Sequence, residues 1–203
     1  MLKSRILKKV FIILLLTCLW AYRYYTFNAE IAEIYTPHRT YYTVNDAVEY
    51  TNNIINLHTY KGCSIILKRA KLVDKECFLR QFNIAQIYER DDYANSSKIC
   101  LLELEFINNS TQNVSFDIGD LVLCGNDKIL NLSEFTADIN PQLDLENSSR
   151  ITVLKSGAMS FLMPFVLTND GFSPKEWNRA EEYQLFLYIT QFPEERIICI
   201  NYE

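Results

Sequence analysis

Histidine, glycine and proline are all scarce in this sequence of 203 residues, with two, five and five copies. So little Gly and Pro excludes a low-complexity linker or a collagen-like chain. With only His38 and His58, and no Cys-x-x-Cys spacing, the chain offers no zinc ligand set. It also lacks the G-x-S-x-G turn of serine hydrolases and the D-x-D-x-D-G calcium loop. We therefore expect no catalytic residue, no metal and no cofactor.

Basic residues are scarce beyond the N-terminus. From Asn28 onward, 15 Lys and Arg face 25 Asp and Glu, a net charge of −10. Nucleic-acid binding requires a basic surface, so we expect no nucleic-acid partner. The adjacent acid pairs Asp91-Asp92, Glu181-Glu182 and Glu194-Glu195 are read as solvated surface, because neighbouring residues on a strand point to opposite faces.

The longest apolar run, Val10–Tyr22, follows the cations Lys3, Arg5, Lys8 and Lys9. Its 13 residues are fewer than the 20 or so that span a bilayer, but the aromatic residues that follow can extend it. The basic flank predicts a single-pass anchor with a cytoplasmic N-terminus and everything downstream outside. The predicted anchor residues are Val10, Phe11, Ile12, Ile13, Leu14, Leu15, Leu16, Leu19 and Trp20.

Three alternatives to an uncleaved anchor stay open. The run has the length of a signal-peptide core, although no pair of small residues follows at cleavage spacing. Cys18 would be the lipidated residue of a lipoprotein, although Thr17 and Leu19 fit that motif poorly. The fourth reading is a buried helix of a cytosolic protein, which the clustered cations disfavour.

Beyond the anchor, the dominant hydrophobic period is two. In Ile99–Ile107, the side chains of Cys100, Leu102, Leu104 and Phe106 alternate with acidic ones, as in a half-buried antiparallel strand. Turn signals separate seven to nine such strands at sandwich-like spacing. The predicted strands are Cys63–Val73, Ile99–Ile107, Asn113–Ile118, Asp120–Cys124, Lys128–Leu132, Arg150–Leu154, Ala158–Leu167, Gln184–Ile189 and Arg196–Tyr202.

One helix is predicted, from Pro174 to about Glu182. Ser173, Pro174 and Glu176 form a capping-box pattern, and Trp177 and Ala180 should face the sheet. The predicted organisation is a basic tip and anchor (or signal sequence) over 1–27, a stalk or lead-in over 28–42, and a β-sandwich domain over 43–203.

Five stretches resemble the telokin-like, immunoglobulin-fold domains found on the surface of Gram-positive bacteria. They are Tyr42–Tyr50, Leu102–Phe116, Asp120–Asp127, Leu154–Leu167 and Leu187–Tyr202. The resemblance implies an immunoglobulin-like antiparallel β-sandwich. With the helix and the anchor predicted above, the expected fold is such a sandwich with one short helix, preceded by an N-terminal transmembrane helix. It also implies a binding module, since such domains are usually taken as interaction modules. Neither the segment Asp74–Ser97 nor the capped helix that begins at Pro174 has a counterpart in that family.

Five cysteines lie beyond the anchor, where disulfides are permitted if the domain is outside the cytoplasm. Both a bridged and an all-thiol state are open, and a nucleophilic thiol would need His38 or His58 as its base. The candidate disulfide or free-thiol residues are Cys63, Cys77, Cys100, Cys124 and Cys199.

The sequence predicts a non-enzymatic binding module held at the membrane by its N-terminal helix. Its ligand would be an unknown protein, peptide or envelope component, bound through a sheet edge or the end loops. The 25 Tyr and Phe residues allow an exposed aromatic patch, although the core absorbs most of them. The alternatives are an accessory or protective subunit of a membrane complex such as a peptide exporter and, in third place, a thiol-dependent redox protein. The oligomeric state is open, because an exposed edge strand could also pair two copies.

Overall fold

The computed structural model describes residues 2–50, 60–84, 97–125, 128–143, 145, 149–169 and 173–202. They form two compact units, Met1–Pro37 and His38–Glu203. The first unit is a single helix and the second is a mostly β domain.

Helix α1 (Leu2–Tyr35) is continuous over 34 residues. Its most apolar part, Lys9–Ala32, has 24 residues and a mean hydropathy of 1.5. At 1.5 Å per residue that part is about 36 Å long, enough to cross a hydrocarbon core of about 30 Å. Its apolar side chains are exposed, with Phe11 and Trp20 both at 66%. The helix is therefore long and apolar enough to cross a membrane, and it continues past the predicted boundary at residue 27.

Eleven strands are described in the second unit. They are β1 (His38–Tyr42), β2 (Ala47–Glu49), β3 (Cys63–Asp74), β4 (Lys98–Asn108), β5 (Val114–Asp117), β6 (Val122–Gly125), β7 (Lys128–Leu132), β8 (Arg150–Val153), β9 (Gly157–Leu167), β10 (Leu185–Thr190) and β11 (Glu194–Ile200). All nine predicted strands are confirmed. Strand β1 is additional, and β2 lies within Tyr42–Tyr50, the stretch that resembles the opening strand of the family.

The strands form a β-sandwich whose two sheets share strand β7. Sheet A has the order β1-β11-β10-β6-β7, and sheet B has the order β7-β9-β4-β3-β2. Leu130 of β7 pairs with Leu123 of β6, whereas Leu132 pairs with Phe165 of β9. All neighbours are antiparallel except β1 and β11, which are parallel. Strands β5 and β8 form a separate two-stranded sheet.

The main core lies between the two sheets and follows the period of two. Cys100, Leu102, Leu104 and Phe106 of β4 are all fully buried, as the alternation predicted. They pack in one cluster with residues of sheet A such as Leu187. Each fully buried aliphatic or aromatic side chain contributes roughly 1.5–3 kcal/mol of transfer free energy, so this two-sided cluster is the main stabilising element of the domain.

Aromatic rings fill one end of that core. Phe106 stacks on Phe116 with ring centroids 4.3 Å apart, and Tyr60 lies edge-on to Phe116 at 5.2 Å. The Tyr60 hydroxyl donates to Asp120 Oδ2 at 2.9 Å and accepts from the Asp117 N–H at 3.1 Å. The ring and its hydroxyl thereby tie the turn after β5 to the core.

A second apolar cluster covers part of the outer face of sheet B. Helix α2 (Lys75–Gln81) inserts Phe78, which is fully buried. Phe78 contacts Phe135, from the 3₁₀ turn Glu134–Thr136 after β7, with ring centroids 5.7 Å apart. Both pack over Ile99 and Leu101. The first half of β4 is therefore buried on both faces.

Asn140 completes the edge of β9 after β7 ends. Its side-chain amide donates to the Leu162 carbonyl at 2.8 Å, and its Oδ1 accepts from the Leu162 N–H at 2.8 Å. A third bond runs to the Thr136 carbonyl at 2.7 Å. The side chain thus takes the place of a neighbouring strand, and Asn140 is only 1% exposed.

Helix α3 (Pro174–Trp177) begins with the predicted capping box. The Ser173 hydroxyl accepts from the Glu176 N–H at 3.3 Å, and the Glu176 carboxylate accepts from the Ser173 N–H at 2.8 Å. The α-helix is shorter than predicted, because a 3₁₀ turn (Ala180–Glu182) replaces its second half. Ala180 is buried and Trp177 packs on the main core, as predicted.

Two elements differ from the sequence prediction. The predicted lead-in over 28–42 is helical to Tyr35 and then forms strand β1, which pairs with β11. The helix α2 adds a second α-helix to the single one predicted, within the segment that had no family counterpart. Both elements are stabilised by tertiary contacts, a sheet edge for β1 and the Phe78 cluster for α2.

We predict that Asn140→Ala destabilises the domain by roughly 2–4 kcal/mol, because Leu162 loses two hydrogen-bond partners at a buried site. The matched control is Asn131→Ala, which removes an exposed amide from β7 and should change the unfolding free energy by less than about 0.5 kcal/mol. Urea denaturation of the full chain in detergent, followed by Trp fluorescence, measures both. Equal stabilities for the two variants would contradict the role assigned to Asn140.

Candidate functional site

The outer face of sheet A carries two rows of apolar side chains. Cross-strand pairing aligns Ile129 with Cys124, Cys124 with Phe186, and Phe186 with Cys199. A second row aligns Val122 with Tyr188, Tyr188 with Ile197, and Ile197 with Tyr41. We call these eight residues, from five strands, the sheet A face.

The sheet A face is apolar and in part strongly exposed. Ile129 is 70% and Tyr41 is 56% exposed, whereas Ile197 in the middle is 1% exposed. The other five side chains are half-buried. The corresponding face of sheet B has Phe78 and Phe135 packed on it. An apolar face with exposed residues at both ends is typical of an interaction surface.

One ion pair borders the sheet A face at the β1 end. Arg39 Nε donates to Glu195 Oε2 at 2.7 Å, and this bond raises the pKa of Arg39. Burial raises the pKa of Tyr188, and the nearby Glu195 carboxylate adds to the shift. Tyr188 therefore lies close to this ion pair, at the polar rim of the face.

Strand β1 forms an open edge of sheet A. The His38 N–H donates to the Pro193 carbonyl at 2.8 Å, which directs the backbone groups of His38, Thr40 and Tyr42 towards β11. Because these groups alternate along a strand, those of Arg39 and Tyr41 point to the open side. Among the described strands, none pairs with β1 on that side. The edge can therefore accept a further strand.

The outer face of sheet B carries a groove of about 400 Å³. Its floor combines Leu101 and Leu162 with the charged Arg69, Lys71 and Glu103. On the same face, Lys68 Nζ lies 2.7 Å from Glu105 Oε2. A mixture of opposite charges is typical of the solvent-facing side of a sheet. The groove therefore does not indicate a binding or catalytic site.

The predicted thiol residues lie apart, and all are free cysteines. Cys124 and Cys199 flank Phe186 from opposite sides, so two strand spacings, about 9.6 Å, separate them. Cys63 pairs with Asn108 of β4, eight residues along that strand from Cys100, or about 27 Å. A disulfide requires Cα atoms within about 7 Å. Neither pair can be bridged in this fold.

The buried thiols are poor nucleophiles. Burial raises the pKa of Cys63 and Cys124, and raises that of Cys100 to about 12. A reactive cysteine requires the opposite shift. Of the two candidate bases, His38 is exposed on β1 and His58 lies outside the described residues.

The remaining candidate sites have no convergent geometry. Glu194 and Glu195 point to opposite sides of β11, and only Glu195 meets Arg39. Asp91-Asp92 lies outside the described residues. No group of three or more metal-ligating side chains occurs in the part of the chain that the structure describes. Arg39 and Tyr41 were not predicted as site residues, because both fall in the predicted stalk. The available signal for a strand was that they alternate with Thr40 and Tyr42.

Comparison with known families gives a match over residues 39–196 to a domain of unknown function, DUF5028. The chain belongs to the DUF5028 family. The match begins within β1 and ends within β11. The DUF5028 domain therefore includes the parallel strand pair that closes sheet A. Among curated proteins, none matches the sequence.

Several solved structures are similar to the DUF5028 domain at low sequence identity. A functionally unknown protein from Listeria monocytogenes is 9% identical, with 79% of this chain and 85% of that chain covered and a TM-score of 0.47. An uncharacterised β-sandwich protein from Clostridium difficile is 6% identical, with 81% and 96% covered and a TM-score of 0.43. The ycdA protein of Bacillus subtilis is 13% identical, with 68% and 36% covered and a TM-score of 0.40, so this chain spans about a third of that protein's length.

We predict that N-ethylmaleimide at pH 8 modifies the exposed Cys77 at least about 100-fold faster than the buried Cys63 and Cys100, because burial suppresses both access and ionisation. Peptide mass mapping after timed quenching measures each rate on a Cys18→Ser variant. In denaturant, all five remaining cysteines should react with N-ethylmaleimide. Rapid native modification of Cys100, or a thiol still blocked in denaturant, would contradict this placement.

Proposed function

We propose that this protein is a non-enzymatic interaction module, tethered to a membrane by α1, with its DUF5028 domain on the extracytoplasmic side. It recruits a polypeptide through the sheet A face and the adjoining edge of β1. The single observation that carries the proposal is the apolar face of sheet A, exposed at Ile129 and Tyr41, beside an edge of β1 with which no described strand pairs.

The length of α1 and the charges at its N-terminal end support the proposal of a membrane tether. Its apolar part is 24 residues long, and Lys3, Arg5, Lys8 and Lys9 precede the apolar run. Such a flank favours retention of the N-terminus in the cytoplasm. A retained anchor, and not a cleaved signal sequence, agrees with the lack of small residues at cleavage spacing. In this topology the domain faces the outside of the cell.

The dimensions of the sheet A face favour a small polypeptide element as the ligand. Strands about 4.8 Å apart and two side-chain rows about 7 Å apart give an area on the order of 250 Å². A stable protein interface buries roughly 800 Å² per partner. The face alone therefore suits a transient contact, and backbone hydrogen bonds along β1 would add affinity and direction.

A binding role also agrees with the low reactivity expected of the buried and half-buried thiols. The thiols of Cys63, Cys100 and Cys124 have raised pKa values, which argues against the thiol-dependent alternative. The immunoglobulin-like relationship belongs to this proposal as well. It is supported by the N-terminal strands, of which β1 runs parallel to the last strand and β2 antiparallel to β3.

Site-specific photocrosslinking in intact cells tests the proposal. A photoreactive phenylalanine analogue replaces Tyr41 or Ile129 on sheet A, and Lys71 on sheet B in the matched control. We expect Tyr41, beside the open edge of β1, to give adducts with a polypeptide and Lys71 to give none. Ile129, at the far end of the face, tests whether that polypeptide extends along the face. Adducts from Lys71 alone, or none from either sheet A position, would contradict the proposed surface.

Exchanging α1 for an unrelated anchor distinguishes this role from that of an accessory subunit of a membrane complex. If the domain makes the contact, the adducts from Tyr41 persist with the foreign helix. If α1 itself makes the specific contact, as in the accessory-subunit alternative, the adducts disappear while the protein stays in the membrane.

A further inference from the structure

We propose that the strand received by β1 is β1 of a second copy of this chain, paired antiparallel about a two-fold axis at Thr40. The inference rests on the proposed function, because it names the partner of the same surface. It follows from the direction of the backbone groups, the side chains beside them and the different protection of the two sheet edges.

The backbone geometry permits one complete set of hydrogen bonds. Only Arg39 and Tyr41 present their N–H and C=O groups to the open side of β1, since the His38 N–H bonds to Pro193 in β11. A two-fold axis at Thr40 places Arg39 opposite Tyr41 of the second copy. Residues in such a pair exchange both of their hydrogen bonds. Four intermolecular bonds form, and all outward groups of both strands are satisfied.

The side chains select this register over its neighbours. A shift that places Arg39 opposite Arg39 brings like charges together, which is destabilising. A shift in the other direction places Tyr41 opposite Tyr41 and Arg39 opposite Thr43, leaving each arginine without an aromatic neighbour. In the register at Thr40, each Arg39 lies beside a Tyr41 ring, an arrangement that cation–π attraction favours.

The two edges of the sandwich are protected differently. The other edge strand, β2, has only three residues, and the Arg196 guanidinium donates to its Glu49 carbonyl at 2.7 Å. Strand β1 has five residues and contains no Pro, Gly, Lys or bulge. Its one cation, Arg39, is already paired with Glu195. Natural sheet edges usually carry such blocking features. Of the two edge strands in the described nine-stranded order, β2 carries them and β1 does not.

Pairing also extends the apolar surface. The two-fold axis is perpendicular to the sheet, so the sheet A faces of both copies lie on the same side and meet at the Tyr41 residues. Together they cover on the order of 500 Å². The contact is small, but two copies tethered in one membrane have a high effective concentration, which compensates for weak intrinsic affinity.

The first test is disulfide trapping of the full chain in membranes. In a Cys18→Ser/Cys77→Ser background, Thr40→Cys places two cysteines in a non-hydrogen-bonded pair with Cα atoms about 4.5 Å apart, within disulfide reach. Mild oxidation should give a covalent dimer as the main species on non-reducing gels. The background with Thr40 intact, and the background with Ile129→Cys at the opposite end of the sheet A face, should stay monomeric.

The second test distinguishes the register by charge. Added to Thr40→Cys, Tyr41→Lys places lysine beside Arg39 of the second copy and should reduce the trapped dimer at least about tenfold. Tyr41→Glu places opposite charges together and should preserve the dimer. If instead Tyr41 faced Tyr41, both substitutions would reduce it. Because Tyr41 is 56% exposed, neither should shift the urea midpoint of unfolding, which is measured as a folding control.

Absence of the Thr40→Cys dimer, trapping through Ile129→Cys instead, or equal loss with Tyr41→Lys and Tyr41→Glu would each overturn the pairing. The proposed function is decided separately by the mass of the photocrosslinked adducts from Tyr41. Adducts of twice the chain mass support a second copy. Adducts with a different polypeptide retain the interaction role and reject the second copy, and no adduct rejects both.

Discussion

The sandwich closes through strand β7, which starts in sheet A beside β6 and ends in sheet B beside β9. Because one short strand serves both sheets, the chain that follows it must continue along β9, where the Ser133 N–H donates to the Pro164 carbonyl at 2.8 Å. That path places Phe135 and Asn140 on the outer side of sheet B, where Asn140 completes the edge of β9 and Phe135 meets Phe78. Part of the outer face of sheet B is therefore covered by the same crossover that closes the fold, whereas Ile129 and Tyr41 on the outer face of sheet A are exposed.

The parts of the fold that could be predicted are those encoded locally. Alternation in Ile99–Ile107 identified the inward side of β4, because a period of two has one physical reading on a half-buried sheet. The capping box at Ser173 predicted the start of α3, because its residues are close together in the sequence. Helix α2 was missed because seven residues carry too little 3.6-residue periodicity, and its N-cap Asp74 makes no side-chain bond; Phe78 packing supplies the stability that a short helix lacks alone.

The candidate surface was harder to predict, because it depends on a contact between the two ends of the domain. Strand β1 pairs with β11, more than 150 residues later, and no local pattern in His38–Tyr42 reports that partner. The apolar rows of sheet A likewise draw on five strands, and each strand contributes only one or two of the eight residues. From the sequence alone, these positions look like the solvent-facing side of ordinary strands. Only the pairing register of the five strands shows that they form one contiguous surface.

Part of the outer face of sheet B is covered, whereas Ile129 and Tyr41 are exposed on sheet A. Two residues, Thr36 and Pro37, separate α1 from β1 along the chain. We propose that a small apolar face and a few backbone groups suffice for binding when a membrane tether raises the local concentration.

The central claim, a domain outside the cytoplasm, is tested most directly by labelling intact cells with a membrane-impermeant maleimide. In a Cys18→Ser variant, Cys77 is the exposed thiol of the domain. The account predicts that Cys77 is labelled in intact cells to the same extent as in lysed cells. Labelling only after lysis would place the domain in the cytoplasm and contradict the account.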